Sequence, residues 1–379
     1  MTEIPFAKVR DWMFRDALPF WAAHGIDREH GGFLEDLNPD GSPAATPFKR
    51  VRVMARQTYV FSHAALLGWS EGERLSRLGY EFLLSNCRLP GGGYAKTLTR
   101  AGSVVDATPD LYDLAFVLFA FAWRYRVSRD AEALKYAHAA LDFIQNNMRA
   151  PNGGFWSALP SSGPLLQNPH MHLTEACIAA FDASGDQRFL DQANELVSLL
   201  RTRLFDGRTL GERFSEQWLR QPNDALEPGH HFEWPWILAQ HQRLTGANHA
   251  AEAAALLAFG ETAGVDPSSQ AVFDAVSEEG SPLRRSSRAW TNTERIKGWL
   301  GMFEMSGRDP RVQVRGSLDL LFNRYFAHSL PGAWVDQFDG VGAPTVQAVP
   351  ASIVYHLFLA FSEVLRLEPK LSALPQSPP

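Results

Sequence analysis

Eight side chains able to bind or move protons recur along this sequence at intervals of about sixty residues: Arg56, Tyr112, Asn168 with His172, His230 with Glu233, Glu294, and His356. Each stands near the start of an apolar stretch with helical spacing, within RVRVMARQTYVF, TPDLYDLAF, QNPHMHLTEA, EPGHHFEWPW, WTNTERIKGW and ASIVYHLFLAF. An imidazole titrates near neutral pH and can take up and return a proton unaided. A guanidinium is a permanent cation that can hold an oxygen on which negative charge develops. Glu233 lies one helical turn beyond His230, where a carboxylate can orient and charge the ring. If these sets converge on one end of a cavity, several of them are buried, and buried polar groups need partners. A polyhydroxylated ligand supplies such partners in quantity. Trp234, Trp236, Trp290 and Trp299 are candidates to stack on the apolar faces of a pyranose.

Convergence demands a repeating scaffold. Glycine pairs followed by an aromatic residue end at Phe33, Tyr94 and Phe155, 61 residues apart. Weaker counterparts follow around Leu210, Val272 and Trp334, which makes six units. Between these loops, apolar residues at three- and four-residue spacing predict helices over residues 110–126, 130–148, 173–183, 188–204, 234–244, 250–262, 293–305 and 353–367. Short connections at 128–130, 184–186 and 307–309 each end in an aspartate suited to capping the next helix. Two helices per unit give about twelve in all. Six helical hairpins close most simply into a double ring, so the expected fold is all-α, an (α/α)6 barrel with short loops and minor β-hairpins at one end. An open solenoid is the rival architecture. No linker divides the chain: residues 1–370 are expected to form one catalytic domain, and 371–379 a flexible Pro/Ser-rich tail. The looser stretches 38–47, 159–164 and 264–285 are loop-sized, and one of them could act as a lid.

Composition narrows the partners. Of 379 residues 45% are hydrophobic, with 11 Trp and 25 Phe, enough for a large core. A formal charge of -6 without a Lys/Arg block argues against nucleic acid. No apolar run has the length of a membrane span, and the N-terminus lacks the apolar core of a signal peptide. Cys87 and Cys177 have no disulfide or zinc-ligand spacing, so a reduced, cytoplasmic protein is expected. His-x-His at 170–172 and His230–His231 lack the rest of a ligand set, and no metal is expected. Lys49, Arg50 and Arg52 could clamp a phosphate but equally suit a solvated loop. A neutral monosaccharide is therefore the expected partner, for a monomer or homodimer. His24, His30, His63, His138, His241, His249 and His328 are read as structural.

Four motifs in order carry a resemblance: N-P-H-M-H-L-T-E-A at 168–176, G-H-H-F-E-W at 229–234, W-T-N-T-E at 290–294 and A-S-I-V-Y-H at 351–356. With GGFLEDL around Phe33, they resemble the N-acylglucosamine 2-epimerase superfamily over nearly the whole chain, a group that includes cellobiose 2-epimerases, aldose-ketose isomerases and mannose isomerases. The resemblance implies an (α/α)6 barrel, no metal or redox cofactor, and chemistry through a cis-enediolate. It implies that Arg56 holds the sugar oxygens near C1 and C2, that Tyr112, Asn168, His172, Glu233, Glu294 and Trp290 bind substrate, and that His230 and His356 are catalytic. The run VPASIVYH before the last histidine departs from the epimerase pattern and is more similar to the mannose isomerase branch.

On that reading a proton next to an aldehyde is removed, which needs a cation or strong donors at the carbonyl oxygen and a base with pKa near 7. Arg56 and His356 are expected in these roles, with His230 as the partner acid/base. The expected activity is cofactor-independent aldose-ketose isomerisation, D-mannose to D-fructose or D-lyxose to D-xylulose. 2-Epimerisation is the rival within the fold. Glycoside hydrolysis, with Glu233 and Glu294 as the carboxyl pair, is a second class, and a catalytically silent sugar-binding protein a third.

Overall fold

The computed structural model describes residues 3–327 and 330–375. The chain starts with α1 (Phe6–Asp11) and α2 (Leu18–His24), joined by a π-helical turn over Trp12–Ala17, which together form one outer element. Inner helices α3 (Val51–Leu66), α5 (Leu111–Ser128), α7 (Gln167–Ser184), α9 (Pro228–Thr245), α11 (Ala289–Ser306) and α13 (Val354–Arg366) follow. They alternate with outer helices α4 (Gly72–Phe82), α6 (Ala131–Asn147), α8 (Gln187–Leu199), α10 (Ala250–Gly264) and α12 (Arg311–Leu320). A short α14 (Glu368–Ser372) ends the helical body. Each inner helix packs on the next, and α13 packs on α3, so the ring is closed and the solenoid is excluded. The architecture is an all-α (α/α)6 barrel.

Sequence character sorts the two rings. Inner helices are apolar around most of their circumference, as in residues 114–122 of α5, because they are enclosed by the outer ring and by one another. Outer helices such as α4 and α8 bury one stripe and expose the rest. Asp110, Asp130 and Asp186 cap their helices by accepting from backbone N–H groups two or three residues on. Four inner helices, α5, α7, α9 and α11, turn outward through a single left-handed residue, Arg129, Gly185, Gly246 and Gly307. None of the described helices is long and apolar enough to cross a membrane.

Short antiparallel pairings gather at the N-terminal end of the inner helices. Phe48–Arg50, Leu165–Leu166, Ser287–Arg288 and Val349–Pro350 each run straight into an inner helix. Val349–Pro350 pairs with Asp36–Leu37, which stitches the last repeat to the first. In three repeats the glycine-loop residue is then pinned by a polar side chain four residues past the inner-helix N-cap. Phe155 N–H donates to His170 Nε2 (2.9 Å), Leu210 N–H to His231 Nε2 (3.0 Å) and Val272 N–H to Asn292 Oδ1 (3.0 Å).

Three expectations are corrected. α7, α9 and α11 begin at Gln167, Pro228 and Ala289, four to six residues before the apolar spacing starts. Their first turns are polar or proline-bearing because they face the bore, which conceals the helical period. The 264–285 stretch is not loose throughout, since residues 271–276 are buried: Ala275–Val276 pairs with Pro282–Arg284, and Phe273 and Val276 join Leu226 and Phe259 in a buried cluster. The tail does not start at 371, because Glu368–Ser372 is helical and Leu371 is buried; residues 376–379 lie outside the described residues, as does His328.

Candidate active site

The six inner helices have N-caps at Arg50, Asp110, Leu166, Glu227, Arg288 and Pro350, the last opening a single 3-10 turn ahead of α13. Six residues beyond each cap stand Arg56, Phe116, His172, Glu233, Glu294 and His356. Equal phase in sequence thus becomes equal height in the bore. A cavity of about 370 Å³ opens there, lined by Arg56, Tyr112, Asn168, His172, His230, Glu233, Trp290 and His356, with Arg50, Arg52, Glu227, Arg288, Asp336 and Ser352. Every site residue selected from the sequence lines it except Glu294, which is fully buried behind His356.

The indole of Trp290 contacts both imidazoles, with ring centroids 5.4 Å from His230 and 5.4 Å from His356. Gly229 makes this packing possible, since a Cβ there would sit 2.5 Å from the indole. The two histidines have opposite electrostatic surroundings. Burial opposes charge on His230, but its Nδ1 lies 2.9 Å from Glu212 Oε1, and that carboxylate raises the ring to about 9. Burial, with the nearby cations Arg56 and Lys297, holds His356 well below the ordinary imidazole value. His230 is therefore held protonated and His356 neutral at neutral pH. His172 is also held neutral by burial, near 3, with Nδ1 3.0 Å from Glu175 Oε2.

His356 Nδ1 lies 2.8 Å from Glu294 Oε1, whose other oxygen is 2.7 Å from the fully buried Lys297 ammonium. The Nδ1 edge of His356 is thus taken by Glu294, and Nε2 is the nitrogen left for the cavity. Burial opposes the lysine's charge, but Glu294, Glu233 and Glu175 outweigh it and keep it protonated. Burial and Glu233 in turn raise the Glu294 carboxyl against the pull of Lys297. Atoms of Glu233, Glu294 and His356 lie close enough together to hold a metal ion, as do those of His172, Glu175 and Glu233. In the first group the lysine ammonium already stands as the cation.

Arg56 donates to the Ser352 carbonyl (3.1 Å) and the Tyr112 hydroxyl (2.5 Å), and its guanidinium lies 4.1 Å over the Phe116 ring. No carboxylate pairs with it among the described residues. The other arginines of the cavity are mated: Arg50 with Glu35, Arg52 with Asp113 (2.7 Å), and Arg288 with Asp274 (2.9 Å) and Glu227 (3.1 Å). Lys49 is buried against Asp27, away from the cavity.

Some expected roles move. Glu233 does not orient His230: its Oε1 faces Lys297 at 3.5 Å and its Oε2 has no partner. Trp234, Trp236 and Trp299 donate to Gln167, Glu363 and Glu261 and line no part of this cavity. His170 and His231 are loop pins, so each histidine pair divides into one structural and one cavity-facing ring. Sequence reasoning missed Glu212 and Lys297. Glu212 stands two residues past its loop anchor, as Glu35, Asp274 and Asp336 stand past Phe33, Val272 and Trp334, and this recurrence was the available signal. Lys297 was marked by a lone lysine three residues after Glu294 in a buried helix.

Barrel and cavity define a class, an (α/α)6 barrel with an imidazole-rich polar site at the N-terminal mouth of its inner helices. Residues 31–360 match the N-acylglucosamine 2-epimerase (GlcNAc 2-epimerase) family, and the chain belongs to it. It is 31% identical over 369 residues to a mannose-6-phosphate isomerase of Rhizobium meliloti, covering 93% of this chain and 95% of that one. It is 21% identical over 366 residues to a cellobiose 2-epimerase of Bacteroides fragilis, covering 88% and 91%. The crystal structure of a D-mannose isomerase has a TM-score of 0.89 over 95% of this chain and 97% of that one, at 21% identity, which establishes the common fold.

Proposed function

We propose that the protein is a sugar isomerase interconverting an aldose and a ketose, D-mannose with D-fructose or D-lyxose with D-xylulose, by proton transfer through a cis-enediolate. The observation that carries this reading is the pair of imidazoles with opposite proton affinity contacting Trp290 in one cavity. Neutral His356 takes the C2 proton through Nε2. The released electron pair forms the C1–C2 double bond, and the carbonyl pair moves onto O1, where Arg56 holds the charge and His230 can donate a proton. Return of a proton from His356 to C1, with loss of the O2 proton to His230, yields the ketose and restores both rings. Family membership and the isomerase and epimerase names of its relatives support the same chemistry.

A second reading is 2-epimerisation, in which His230 reprotonates C2 from the opposite face. Both rings line one cavity and contact Trp290, which supports a transfer of that kind. Hydrolysis by Glu233 and Glu294 is disfavoured, because Glu294 lies behind His356 and out of the cavity. Incubation with D-mannose, D-glucose, D-lyxose and cellobiose in deuterated water separates these outcomes. Deuterium at C1 of a ketose supports the isomerase, and deuterium at C2 of an epimer replaces it with the second reading. No exchange into any of the four sugars would discard both.

A further inference from the structure

Two residues past the loop anchors, the six repeats carry Glu35, Lys96, Ser157, Glu212, Asp274 and Asp336. Four of the five ionisable groups are mated to the start of the following inner helix: Glu35 to Arg50, Lys96 to Asp110 (3.1 Å), Glu212 to His230 (2.9 Å) and Asp274 to Arg288 (2.9 Å). The sixth repeat breaks the rule. Its helix opens with Pro350, Ala351, Ser352 and Ile353 and offers no base to Asp336. Asp336 nevertheless lines the sugar-sized cavity, and its buried Oδ1 has no hydrogen-bond partner. The nearby guanidinium, Arg288, is already bonded to Asp274 and Glu227. Asn168 Oδ1 and Glu233 Oε2, which line the same cavity, are likewise buried without hydrogen-bond partners. Three acceptors without partners suit the O–H donors of a polyhydroxylated ligand.

We propose that Asp336 determines specificity by accepting a hydrogen bond from a hydroxyl of an unsubstituted aldose and by excluding the phosphate ester of the same sugar. The inference rests on the sugar-isomerase reading and narrows its substrate class. A phosphate group brings further acceptors to a cavity where Asp336, Asn168 and Glu233 already present unpartnered ones, while Arg50, Arg52 and Arg288 are neutralised by their own carboxylates and Arg56 is committed to the sugar's carbonyl oxygen.

The test compares the unaltered protein with Asp336→Asn and Asp336→Ala on D-mannose and D-mannose 6-phosphate, reading kcat and KM separately. We expect the unaltered protein to prefer D-mannose in kcat/KM. Asp336→Ala should raise KM for D-mannose by roughly 10–100-fold, as loss of a hydrogen bond to a charged group does, with kcat little changed. Asp336→Asn should fall between, and both variants should discriminate less against the phosphate ester. A preference of the unaltered protein for D-mannose 6-phosphate overturns the proposal, as does an unchanged KM or a fall in kcat alone. If neither sugar turns over, the isomerase reading fails separately, and titration calorimetry with D-mannose decides the inference: weaker binding to Asp336→Ala supports it, and equal or absent binding overturns it.

Discussion

His230 and His231 are neighbours in the chain with unrelated duties, because successive residues on a helix point about 100° apart. The first shares a cavity with His356, and the second holds a loop N–H. Replacing His230 or His356 with Asn should lower deuterium exchange at C2 by about 10²–10⁴-fold each, measured by NMR, with the fold intact by circular dichroism. Full exchange in either variant would remove that ring from the mechanism. Glu212→Gln tests the charge on His230. Activity that needs protonated His230 is present below about 9 and lost as pH rises through it. Without the Glu212 charge that loss should begin nearer neutrality, so the alkaline limb of kcat/KM moves to lower pH; a limb that stays put would show that His230 is not the acid. The cavity-facing groups were legible from the chain because each recurs in phase with a helix start. Glu212 was hidden because it sits in a loop, where no helical period marks it and only comparison between repeats does.

Polar first turns are the cost of building a site on helix N-termini, and they explain why α7, α9 and α11 looked shorter than they are. Residues such as Asn168, His172, His230 and Glu233 interrupt the apolar stripe where the helix turns toward the bore. The pins that fix these helices to their loops are separable from the chemistry. His231→Phe keeps the volume against Phe259 but leaves the buried Leu210 N–H without an acceptor. It should cost about 1–3 kcal/mol in urea-induced unfolding and leave C2 exchange largely intact. A loss of exchange equal to that of His230→Asn would mean that the two rings are not separable. Which histidine of each pair does which task could not be read from spacing, since both fall on buried arcs of the same helix.

Closure of the ring was legible as six units, yet the devices that close it were not, because they join the first repeat to the last. The Asp36–Leu37 and Val349–Pro350 pairing is one. Arginines of α12 supply another: Arg315 donates to the Glu3 carbonyl (2.5 Å) and Arg311 to the Pro375 carbonyl (2.6 Å), so both ends of the described chain meet on one helix. A circular permutant that joins these ends by a short linker and opens at Gly185 should refold with its cavity intact, seen as retained C2 exchange and a cooperative thermal transition. An open array would lose both.

The aromatic seat under Arg56 sets what the barrel can do with the cavity arginine that, among the described residues, has no carboxylate partner. In four other repeats a carboxylate or imidazole, His172, Glu233, Glu294 or His356, fills the position that Phe116 fills here at the same height, and an acid at that spot would consume the guanidinium's charge before any substrate arrived. A π face holds the same group in place by its quadrupole and leaves the charge unspent for an oxyanion.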